Sequence, residues 1–127
     1  MPTLLAAKIF GALTGIVAVF QLALAAGMPW GKLAMGGRFP GKYPPFMRLI
    51  CLLQVLVLAL LATIVLARAG VLLPGWYPIS RTLIWGVVAF GVVALVANLV
   101  TPSRWERILW APVAAAMLLS SLVVAIG

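Results

Sequence analysis

Residues 46–67 read FMRLICLLQVLVLALLATIVLA, a run of 22 positions interrupted by one charge, Arg48, and one amide, Gln54. A helix rises about 1.5 Å per residue, so this run extends about 33 Å, enough to cross the ~30 Å hydrocarbon core of a bilayer. A helix that is apolar on every side is buried in a large core or spans a membrane. Working outward, three further runs meet the same length requirement, at residues 3–27, 82–100 and 107–126. The connections at 28–45, 68–81 and 101–106 are punctuated by glycine and proline: Pro29, Pro40, Pro44 and Pro45 in the first, Pro74 and Pro78 in the second, Pro102 in the third. The expected fold class is all-α: an integral membrane four-helix bundle with short loops, forming a single transmembrane domain over residues 1–127.

Composition agrees with that expectation. The 127 residues are 66% hydrophobic and 8% charged, with a mean hydropathy of +1.28, whereas a soluble domain is about 25% charged. A soluble globule, a disordered tail and a disulfide-stapled secreted domain are excluded. The net charge of +8 would suggest nucleic acid in a soluble protein. Here the basic residues lie between apolar runs, where they meet lipid phosphates, and no recognition helix accompanies them. The expected partners are membrane lipids, other membrane-protein subunits or a second copy of the chain, and not nucleic acid.

Basic residues in short loops set orientation. Lys32, Arg38, Lys42, Arg48, Arg104 and Arg107 belong to the first and third connections and their flanks; Lys8, Arg68 and Arg81 belong to the opposite side. The bias predicts that the first and third connections face the cytoplasm and both termini face outward. Trp30, Trp105 and Trp110 would mark one interface, and Trp76, Tyr77 and Trp85 the other. The first span resembles a secretory signal, with Lys8 ahead of an apolar stretch that ends in Ala23-Leu24-Ala25. That stretch is longer than a signal's apolar region, so the span is expected to be retained.

Several chemistries lack their residues. Histidine is absent and Glu106 is the only acid, which removes paired carboxylates, a Ser-His-Asp triad and a His-rich metal site. The single cysteine, Cys51, cannot form a Cys-x-x-Cys redox pair. No enzyme activity, cofactor or metal is expected.

The polar residues inside the spans are Lys8, Thr14, Gln21, Gln54, Thr63, Asn98, Ser120 and Ser121. Gln21, Gln54 and Asn98 all fall in the half of the bilayer next to the first and third connections. Gly11, Thr14, Ala18, Gln21 and Ala25 form one stripe at spacings of three and four, and Val87, Gly91, Ala94 and Asn98 form another. Two readings follow for the amides. They serve as interhelical glue, at about 0.6 kcal/mol per bond, or they line a polar pocket open to the inner leaflet. Gly11 and Gly15 add a small-xxx-small pair of low specificity.

Ser103-Arg104-Trp105-Glu106 matches a capping box, in which Ser103 caps the fourth helix and Glu106 returns a bond to it. A ligand contact is the alternative role for Glu106. Arg38, Arg104 and Arg107 suit headgroups or another anionic ligand. Pro112 removes a backbone bond inside the fourth run and predicts a kink. Trp30, Leu33, Met35, Phe39 and Tyr43 give the first connection the character of a strap on the membrane surface, with an ordinary loop as the alternative. Lys8 is expected to snorkel along its methylene stem.

The motifs Gln21…Gly27-Met28-Pro29-Trp30-Gly31, Gly36-Gly37-Arg38-Phe39-Pro40-Gly41 and Thr101-Pro102-Ser103-Arg104-Trp105-Glu106-Arg107 resemble those of small four-span bacterial inner-membrane proteins that carry no assigned function. The resemblance implies a bacterial inner membrane and a four-helix layout, and no site. The length is also similar to that of the small multidrug-resistance transporters, but Thr14 and Gly15 stand where that family has its membrane-embedded glutamate. The functional expectation is a non-enzymatic accessory or interaction subunit. The alternative is a binder or transporter of a lipid or small hydrophobic molecule with an amide-lined site.

Overall fold

The computed structural model describes residues 2–33 and 41–127. Arg38, Met35 and Phe39, singled out above, lie outside them. Four long helices follow in order: α1 (Pro2–Ala26), α2 (Pro45–Arg68), α3 (Tyr77–Val100) and α4 (Arg104–Ile126), with short 3-10 turns at Gly31–Leu33 and Pro74–Trp76. Each is long and apolar enough to cross a membrane. There is no strand among the described residues. The protein is an all-α four-helix bundle.

Two helices start earlier than the apolar runs suggest. α3 begins at Tyr77 rather than 82, because Pro78 sits in its first turn, where a missing N–H costs nothing and the fixed φ suits the helix. α4 begins at Arg104 rather than 107, with the Ser103 hydroxyl accepting from the Glu106 N–H. α2 likewise opens on a proline, Pro45. In these places proline starts a helix instead of ending a loop.

The ends of α1 and α2 share one device. Gly27 (φ 103°) and Gly70 (φ 78°) take the left-handed conformation that glycine adopts without steric cost. Met28 N–H donates to the Ala23 carbonyl and Gly27 N–H to Leu24, while Val71 N–H donates to Leu66 and Gly70 N–H to Ala67. Both are Schellman caps, which satisfy carbonyls that a helix end leaves open. A β-carbon at Gly27 would lie 3.0 Å from both Arg48 Nη2 and Lys42 Cε. Two cationic side chains thus approach the negative end of the α1 dipole.

The helices run up and down, with α1 packed on α2 and α4, α3 packed on α4, and α2 beside α3. Gly91 marks a close approach of α3 to α4: a β-carbon there would stand 3.2 Å from Leu118 Cδ1. Gly11 and Gly15 make no such approach, since nothing lies within 4 Å of where their β-carbons would be. The small-xxx-small pair therefore forms no seam among the described residues. α4 continues through Pro112, whose exposed side faces away from the bundle.

Two apolar clusters hold the bundle, and their membership differs. At the Arg68 end, Ala6, Ala7 and Phe10 of α1 meet Leu58, Leu61, Ile64 and Val65 of α2, Ile84 and Val87 of α3, and Val124 and Ala125 of α4. All four helices contribute. At the Gly27 end, Phe20 and Leu24 meet Tyr43, Met47 and Cys51, with Ala25, Leu33, Ile50 and Trp110 packed alongside. α3 contributes nothing to this second cluster. Its buried residues, Ser80, Ile84 and Val87, all lie in its first half.

Candidate functional site

Where α3 leaves the core, a cavity of about 840 Å³ opens. Its α2 wall carries Met47, Cys51, Gln54, Leu58 and Leu61 at spacings of four, three, four and three, one face of a helix. Its α3 wall carries Val87, Gly91, Ala94 and Asn98, the stripe of small and polar residues read from the sequence. α1 supplies Phe10, Val17, Phe20 and Gln21, and α4 supplies Glu106, Trp110, Val113, Ala114 and Met117. Val57 on α2 and Phe90, Ala97 and Val100 on α3 line it and are also exposed. The cavity therefore opens sideways, between α2 and α3, toward what would be lipid.

The structure brings Gln21, Gln54 and Asn98 to this one cavity. None makes a hydrogen bond to another helix among the described residues. Asn98 Nδ2 donates to the Ala94 carbonyl of its own helix at 2.7 Å. Gln21 Oε1 is buried without a partner. The hydroxyls of Thr14, Thr63, Ser80, Ser120 and Ser121 each donate to a carbonyl three or four residues back on the same helix. Their donors are spent on the same helix, as is the Asn98 amide's, whereas Gln21 Oε1 has no partner.

Glu106 has a second position besides its cap. Its N–H donates to Ser103 Oγ at 3.2 Å, as the capping box requires. The Ser103 N–H meets Thr101 Oγ1 at 3.3 Å, and the Glu106 side chain, only 8% exposed, forms part of the cavity wall. Of the basic residues suggested for headgroup contacts, Arg104 and Arg107 are exposed and do not line the cavity. The Arg107 guanidinium donates to the Thr101 carbonyl and so braces the α3–α4 turn.

Among the lining residues that escaped the sequence reading, three bear on the site. Trp110, assigned there to an interfacial belt, is half-buried at the cavity wall. Its ring meets Phe20 at 4.7 Å between centroids, tilted by 54°, and Phe20 also stacks on Trp30 at 6.4 Å. Trp110 Nε1 is buried without a partner. Leaving a donor or acceptor unmatched costs about 1–3 kcal/mol, so Trp110 and Gln21 place two such penalties in one wall. The spacing of four from Glu106 to Trp110, continued by Ala114, signals a shared face. Tyr43, assigned to a surface strap, is 2% exposed. Burial foremost, then Cys51 and the Glu106 carboxylate, push its phenol up to about 12. Cys51 is the third, buried in the α2 stripe. Arg48 Nε donates to the Tyr43 carbonyl at 3.0 Å, which holds the chain against α2. Gly31 N–H donates to the Gly41 carbonyl, clasping the two arms of the first connection.

No protein-family model, no curated protein and no solved structure matches this chain. The site is therefore read from its own geometry.

Proposed function

We propose that the chain is a non-enzymatic membrane protein that holds one amphiphilic molecule, a lipid or a small hydrophobic compound, in the cavity beside α3. The single observation that carries this reading is the cavity of about 840 Å³, open sideways between two membrane-length helices and bearing three amides at one end. Ligand pockets are typically about 300–1,000 Å³, mostly apolar, with a few polar groups that fix orientation. Under the distribution of basic residues, the Gly27 end faces the cytoplasm of a bacterial cell and both termini face outward. The cavity then opens to the inner leaflet.

Gentle extraction followed by native mass spectrometry tests the reading. Ala94 stands in the α3 wall, and Ala94→Phe places a ring in the cavity. Wild-type protein is expected to carry one lipid-sized adduct that the variant lacks. Identical adducts on both proteins would overturn the proposal.

A second reading, an accessory subunit, draws support from Gly11 and Gly15. The space before them is open and Gly15 is exposed, a surface against which a helix of another subunit or a second copy packs closely. Co-purification of a membrane partner that is lost in Gly15→Leu tests it.

A further inference from the structure

The chemistry of the cavity's polar end narrows the class of its occupant, given the binding reading above. Gln21 Oε1 is a hydrogen-bond acceptor and Trp110 Nε1 a hydrogen-bond donor, and both are buried without partners. Both residues line the cavity, from α1 and α4, two helices that meet where Phe20 packs on the Trp110 ring. Gln54 adds a further amide from α2. The described lining contains one carboxyl, Glu106, and no lysine or arginine.

We propose that this end takes an uncharged head bearing a hydroxyl, as in a monoacylglycerol or long-chain alcohol, with the tail laid along the apolar walls toward the mouth. A hydroxyl both donates and accepts, so one such group answers Gln21 Oε1 and the Trp110 N–H together. A phosphate or carboxylate head accepts only and meets no cation in the described lining. An ammonium head donates only: it would meet Glu106 and Gln21 Oε1 but leave the indole N–H unmatched. An ester or ketone accepts only and leaves Gln21 Oε1 unmatched. A bare hydrocarbon leaves both. The apolar walls from Leu58, Leu61 and Val87 to the exposed Val57 and Phe90 suit a chain and carry no feature that selects its length.

The experiment uses the purified full chain, stripped of lipid, with four probes that share one oleyl-length tail: monooleoylglycerol, methyl oleate, oleylamine and oleate. Bound fractions are read by native mass spectrometry, and helical content by circular dichroism. Monooleoylglycerol is expected to bind at least about five-fold more tightly than each of the others, the worth of roughly one hydrogen bond. Trp110→Phe and Gln21→Met each remove one orphaned group, and each is expected to bring monooleoylglycerol down to the level of methyl oleate. Oleylamine, oleate or methyl oleate binding as tightly as monooleoylglycerol would overturn the head assignment and leave the binding reading standing. No binding of any probe, or equal binding to wild type and Ala94→Phe, would overturn the binding reading itself. Should either variant fail to fold, the order of the four probes on wild-type protein decides the proposal.

Discussion

Phe20 of α1 and Trp110 of α4 meet at 4.7 Å between ring centroids with a 54° tilt, and this contact fixes the indole in the cavity wall with its N–H unmatched. The two properties separate under mutation. Trp110→Phe keeps a ring against Phe20 and deletes the orphaned donor, so the smaller ring's lost contact and the relieved penalty offset each other. Its thermal midpoint in detergent is expected to stay near that of wild type. Trp110→Ala loses the ring itself and is expected to cost about 3 kcal/mol. A Trp110→Phe variant clearly less stable than wild type would show that the unmatched N–H carries no offsetting penalty.

The glycines of α3 make a contrasting pair. Nothing lies within 4 Å of a β-carbon built at Gly86, whereas one at Gly91 meets Leu118 at 3.2 Å. Gly86→Ala is expected to stabilise the chain by about 0.5 kcal/mol through the lower conformational entropy of its unfolded state. Gly91→Ile forces α3 away from α4 and is expected to cost about 1–3 kcal/mol. Unfolding in mixed micelles, with circular dichroism as the readout, measures both. A Gly91→Ile variant as stable as wild type would mean that α3 does not rest on α4 there.

Tyr43 offers a titration. The chain has two tyrosines, Tyr43 and Tyr77, so in Tyr77→Phe the absorbance change near 295 nm belongs to Tyr43 alone. Its midpoint is expected near 12 in the folded protein, raised from 10.0 by burial above all. The native state then holds a proton that the unfolded state has released. The corresponding stability is fully present below pH 10 and is lost as the pH rises toward 12. Glu106→Gln is expected to lower the midpoint only in part, since the carboxylate is a lesser cause than burial. A midpoint at the ordinary value in folded protein would contradict the enclosed position of the ring.

Orientation is open to labelling. In a Cys51→Ala background, which removes the native thiol, Ser103→Cys is expected to resist a membrane-impermeant maleimide applied to intact cells. Gly75→Cys, in the connection between α2 and α3, is expected to react. The reverse pattern would invert the bundle in the membrane.

Much of this architecture can be read before folding. The four helices are legible because about 20 apolar residues in succession have few other uses. The α3 stripe of Val87, Gly91, Ala94 and Asn98 is legible through its spacing, and those four residues share one cavity wall. The departure of α3 from the second cluster is not legible. Lipid and protein core select the same apolar side chains, so the sequence after Gly91 looks the same whether it packs or faces hydrocarbon. Trp110 misleads for a related reason, since an indole near a helix end suits an interfacial belt as well as a buried wall. Tyr43 belongs to a connection, where no helical period reveals what faces inward. The reach of Glu106 into the wall is hidden by its fit to a capping motif that explains it without a cavity.

The unequal membership of the two apolar clusters makes α3 a beam supported at its ends rather than along its length. It is buried between Ser80 and Val87, approaches α4 at Gly91, and is tied to α4 again by the braced turn after Val100. A beam held at both ends bows most between its supports, and Ala94 and Asn98 lie there without a place in either cluster. Changes in girth along the mouth would then be met by bowing of one helix rather than by repacking side chains. Under the proposed binding role, the polar end formed by α1 and α4 would be the stiff part of the site and the α3 wall its yielding part.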